Sequence, residues 1–110
     1  MDVIEEIAAE RRRQVEVEGW AADHDDHEHF DGQLAIAAGC YAIFAGGRRD
    51  MTRSYEPGDS AEDLHYVPRG WPWHRKWWKP KNPRRDLIRA AALIVAEIER
   101  LDRSQFSVPP

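Results

Sequence analysis

Near the N-terminus, Val3, Ile4, Ile7, Ala8 and Val15 recur at three- and four-residue intervals and so share one helical face. Asp2 stands where an N-cap belongs and Glu5 lies three residues on, as in a capping box. Gly19 offers the left-handed position that ends many helices, so the pattern predicts a helix from about Asp2 to Glu18. A second helix is predicted from just after Asp31, its expected cap, to about Ala45. Leu34, Ala38, Tyr41 and Ala45 form its stripe, Ile36, Cys40 and Ile43 widen it, and Gly46-Gly47 stops it. The third helix is the most regular. Asn82 caps it, Pro83 fills the first turn where a missing N–H costs nothing, and Leu87, Ala91, Ile94, Ile98 and Leu101 follow a 4-3-4-3 spacing. That spacing predicts a seam against another helix and a helix to about Arg103.

Between these helices lie two segments without helical periodicity: Trp20 to Phe30, and Arg48 to Lys81 with Pro57, Pro68, Pro72 and Pro80 spread through it. The expected fold is therefore mainly α, one small domain of three principal helices over residues 1–103 with a long Trp/Pro-rich loop. Residues 104–110, ending in Pro109-Pro110, are expected to fray.

Composition adds limits. A chain of 110 residues suits one core. The net charge of −4 argues against binding long nucleic acid, which calls for a basic surplus. A single cysteine, Cys40, excludes an internal disulfide, and a mid-helix thiol with no cation nearby in sequence reads as structural. The acidic N-terminus lacks the features of a secretion signal, and the run from Leu34 to Gly47 is too short to span a bilayer, so a cytoplasmic location without membrane contact is expected.

Candidate chemistry sits in the two loops. Asp23 to Asp31 offers five carboxylates and three imidazoles in nine residues. Such groups ligate divalent metals, but the spacing matches no closed zinc site and no calcium loop, so no metal site is assigned. The same residues can instead cap the second helix and remain solvated, or latch onto the basic loop.

From Pro68 to Arg85 stand Arg69, Arg75, Lys76, Lys79, Lys81, Arg84 and Arg85, with no acidic residue and four of the five tryptophans: Trp71, Trp73, Trp77 and Trp78. Cations interleaved with indoles suit a nucleotide, whose base stacks for about 1–3 kcal/mol while Arg and Lys take its phosphates. The alternative is a hydrophobic lid over a small core, and a lid can also line a pocket. Within the first helix, Glu10 is placed to pair with Arg13 or Gln14, and Arg11 and Gln14 extend the apolar stripe as either an exposed or a buried polar pair.

Taken together, Glu10-Arg11-x-Arg13-Gln14, Gly19-Trp20, His24-Asp25-Asp26 with His29, Trp71 to Pro80, and Arg85-Asp86-Leu87 resemble the pattern of a group of small phage and prophage proteins. A fainter resemblance is to the ryanodine-receptor repeat domain, through Arg12 or Arg13, Gly19, Trp20, Asp25, Asp26, His29 and Lys79. Three departures stand against it: His29-Phe30 replaces the usual His-Pro, Arg85-Asp86 reverses the Asp-Arg order, and the middle loop is longer.

That second resemblance implies a nucleotide-derived ligand, and the first functional reading is a phage accessory protein that holds it without a cofactor and acts against a host defence. On this reading Trp20 and Trp78 stack on the base, Arg13, Lys79 and Arg85 take phosphates, and Asp25, Asp26 and His29 hydrogen-bond ribose or base. A second reading is a Mg²⁺- or Mn²⁺-dependent nucleotide pyrophosphohydrolase resembling the all-α MazG type, with Glu10, Glu18, Asp25, Asp26, Asp86 and Glu97 as candidate carboxylates. That family's paired Glu-x-x-Glu and Glu-x-x-Asp helices are not found here. A third is a protein–protein adaptor anchored by the tryptophan loop, and the heptad-like third helix allows a homodimer.

Overall fold

A computed structural model describes residues 1–17, 32–47, 52–53, 67–68 and 70–107. The chain is mainly helical, with α1 (Val3–Glu16), α2 (Gln33–Ala45) and α3 (Pro83–Ser107) as its principal elements. Between α2 and α3, β1 (Thr52–Arg53) and β2 (Val67–Pro68) pair antiparallel, with Thr52 opposite Pro68, and a 3-10 turn covers Arg75–Trp77.

The helix starts follow from local chemistry. The Asp2 carboxylate accepts the backbone N–H of Glu5 at 2.8 Å, satisfying a donor that has no partner within the helix. Asn82 does the same for Arg85 at 2.9 Å, and Asp86 reaches back to accept the N–H of Lys81 at 2.9 Å. The start of α2 differs from expectation. Its cap position is Gly32, at a positive φ of 81° and without a side-chain cap, while Asp31 lies outside the described residues. The helix α3 also continues past Arg103 to Ser107, so the first part of the expected frayed tail is helical. Ser104 to Ser107 contain no glycine or proline to stop it, and the first breaker is Pro109.

Both α1 and α2 pack on α3. Leu34, Ala37, Ala38, Cys40 and Tyr41 of α2 meet Ala90, Leu93 and Ala96 of α3 in one buried cluster. The expected seam of α3 is not this face. Leu87, Ile94, Ile98 and Leu101 are 44–52% exposed. Small alanines at 90, 92 and 96 supply the buried side instead, since a short side chain at the contact lets helix axes approach. Likewise Ile36 and Ile43 of α2, and Val3 and Ile4 of α1, are exposed.

The tryptophan segment closes the core. Val67, Trp71 and Trp78 are buried with it, and Trp71 packs edge-on against Tyr41, Trp73 and Trp78 at centroid distances of 5.0–5.6 Å. Its indole N–H donates to the His74 carbonyl at 3.2 Å, so burial leaves no orphaned donor there. Among the described residues, no helix is long and apolar enough to cross a membrane.

Candidate ligand-binding site

Where α1 crosses the N-terminal half of α3, the buried side chains are polar. Glu10 is 2% exposed and Gln14 1%. A lone carboxylate in such a place would be costly, and here it is surrounded by guanidinium groups. Arg13 donates to Glu10 through Nε at 2.8 Å and Nη2 at 2.9 Å, the forked geometry that suits a carboxylate. Arg85 donates to Oε1 of Glu10 from α3, and the Nε of Arg89 lies 3.9 Å from Oε2. Gln14 adds its amide N–H at 3.4 Å. Burial pushes the Glu10 carboxyl up, but the hydrogen bonds from Arg13 and Arg85 and their charges outweigh it and hold the group below the usual carboxylate range.

Two atoms at this junction are buried without a hydrogen-bond partner among the described residues: the Oε1 of Gln14 and the Nε of Arg89. An acceptor and a donor beside one carboxylate give the cluster capacity for a polar group beyond its internal pairs.

Arg89 ties this cluster to the tryptophan segment. Its Nη1 donates to the Tyr41 hydroxyl at 3.1 Å and to the Lys79 carbonyl at 2.9 Å, and its guanidinium lies 5.2 Å from the Tyr41 ring centroid. The Tyr41 hydroxyl in turn accepts the N–H of Lys79 at 3.3 Å. Lys79 then leads outward. Its ammonium sits 5.7 Å from the Trp77 ring, and Lys76 sits 5.1 Å from the same ring. Trp77 is 52% exposed.

Four of the eight residues expected to bind ligand are described. Arg13 and Arg85 meet on Glu10, and Lys79 joins them through Arg89. Trp78, expected to stack on a base, is only 7% exposed and packs against Tyr41, Phe44 and Trp71. The lid reading therefore describes Trp71 and Trp78, and the indole presented with cations is Trp77. Trp20, Asp25, Asp26 and His29 lie outside the described residues, as do Glu18 and the whole acidic stretch from Asp23 to Asp31.

The remaining candidate carboxylates already have partners. Asp86 accepts the Lys81 N–H, and Glu97 takes Arg100 at 2.6 and 3.3 Å. No group of three potential metal-ligating side chains gathers among the described residues. Sequence reasoning places Tyr41 only in the apolar stripe of α2 and singles out no role for Arg89. The signal available was the spacing of Arg85 and Arg89, four apart and thus on one face of α3. The chain matches no protein-family model, no curated protein and no solved structure.

Proposed function

We propose that this protein is a binding module for a nucleotide or nucleotide-derived signal, held where α1, α3 and the tryptophan segment adjoin. The observation that carries this reading is the gathering of Arg13, Arg85 and Arg89 on the buried carboxylate of Glu10, linked through Lys79 to an exposed indole. Arg85 and Lys79 take phosphate oxygens in charge-assisted bonds, and Glu10 holds the guanidinium groups in place. Trp77 offers a face to a base, with Lys76 and Lys79 beside it for adjoining phosphates. Asp25, Asp26, His29 and Trp20 complete the proposed contacts to ribose and base. Sequestering such a signal against a host defence is the role proposed for the module.

Thermal-shift measurements against mononucleotides, dinucleotides and cyclic dinucleotides test this reading, with pyrophosphate release followed in the same samples. Stabilisation by at least one nucleotide, lost in Trp77→Ala and Arg85→Ala, is the expected result. No stabilisation by any of them contradicts the proposal. Pyrophosphate release from a nucleoside triphosphate with Mn²⁺ would favour a hydrolase instead.

A further inference from the structure

The side of α3 turned away from both α1 and α2 is apolar. Leu87, Ile94, Val95, Ile98 and Leu101 are all exposed, with partly buried Ala91 among them, along about 20 Å of helix. Nothing among the described residues covers this stripe, and at 4-3-4-3 spacing it has the form of a coiled-coil seam. Interior positions of α3 at 90, 92, 93 and 96 are already filled by the protein's own core, so the stripe is a second, separate apolar face.

Charges at its edge indicate what covers it. Arg84 and Asp102 are eighteen residues apart, about five helical turns, and therefore lie on the same flank of the stripe, equidistant from Leu93. A two-fold axis perpendicular to the helix keeps each flank on its own side and reverses its direction. An antiparallel second copy thus places Arg84 opposite Asp102 at both ends, with Ile94 and the small Ala91 near the axis and Leu87 level with Leu101 of the other chain. A parallel copy sets this flank against the other one, where Pro83 and Leu101 lie, and gives neither residue an opposite charge in the second copy. Arg84 already forks onto Glu6 at 2.7 and 2.8 Å, which holds its exposed guanidinium in place at the rim.

We propose that α3 is the interface of an antiparallel homodimer, formed by Leu87, Ala91, Ile94, Ile98 and Leu101 and oriented by Arg84 against Asp102 of the second copy. This arrangement stands apart from the ligand-binding reading. The interface lies on the opposite flank of α3 from Ala92 and Ala96, so ligand residues and dimer residues can be varied separately.

Sedimentation across a concentration series of the full chain provides the test. The expected mass is twice 12.8 kDa, falling to the single mass in an Ile94→Glu, Ile98→Glu variant whose far-UV circular dichroism is unchanged. A wild-type chain that stays at the single mass overturns the proposal, as does a dimer indifferent to that variant. Orientation is read by mixing Leu87→Cys protein with Leu101→Cys protein under mild oxidation, Cys40 being buried. A mixed disulfide between the two variants is expected. Only like-with-like disulfides would mean a parallel pair and overturn the antiparallel assignment.

Discussion

Glu10 on α1 and Arg85 on α3, 75 residues apart in sequence, are joined by a hydrogen bond at the edge of the core. That pair fixes the crossing of the two helices and also places a guanidinium where an anion can reach it. Removing the carboxylate leaves Arg85 and Arg89 facing each other without their shared counter-charge. Glu10→Ala is expected to destabilise the fold by about 3–5 kcal/mol, the usual cost of breaking a buried ion pair from one side. Urea unfolding measures it, and Glu10→Gln should lie between the variant and wild type.

The same carboxylate gives a pH dependence. Because its pKa is lowered in the folded chain, the stability it contributes is present above the unfolded value of 4.5 and is lost as pH falls through the folded value. Unfolding midpoints should therefore drop on acidification below pH 4.5, and the drop should be smaller in Glu10→Gln. An equal drop in both would assign the acid sensitivity to other groups.

Tyr41 joins two neighbours through one hydroxyl, accepting from Lys79 and from Arg89. Tyr41→Phe keeps the ring packing on Trp78 but leaves those donors short of an acceptor, for an expected cost of about 1–3 kcal/mol. Ligand affinity should fall with it, since Arg89 and Lys79 lose their common anchor.

Adjacent tryptophans should behave oppositely. Trp78→Ala opens the buried aromatic cluster and should cost about 3–5 kcal/mol of stability. Trp77→Ala removes an exposed ring and should change stability by no more than about 0.5 kcal/mol while weakening nucleotide binding. Thermal unfolding and a binding titration on the two variants separate these effects.

The helices were legible from the sequence because their ends carry local chemistry. Asp2 with Glu5, and Asn82 with Pro83, mark starts that the structure reproduces. Which face turns inward was not legible. Hydropathy favours Leu87, Ile94 and Ile98, whereas the core uses Ala90, Ala92 and Ala96, whose small size suits close helix packing rather than strong burial energy. The same bias hid the polar junction, because Glu10 and Gln14 are types that a periodicity argument assigns to solvent, although Gln14 was recognisable as an extension of the apolar stripe. Trp77 and Trp78 are identical in type and adjacent in sequence, so only the turn at Arg75–Trp77 decides which indole faces out.

Calorimetric titration of the wild-type chain and Arg85→Ala with inorganic pyrophosphate tests the central claim most directly. Saturable binding by the wild type, weakened about tenfold or more in the variant, is expected from the loss of one charge-assisted contact. No heat of binding in the wild type, or equal binding by both proteins, would contradict an anion site built on the Glu10–Arg85 junction.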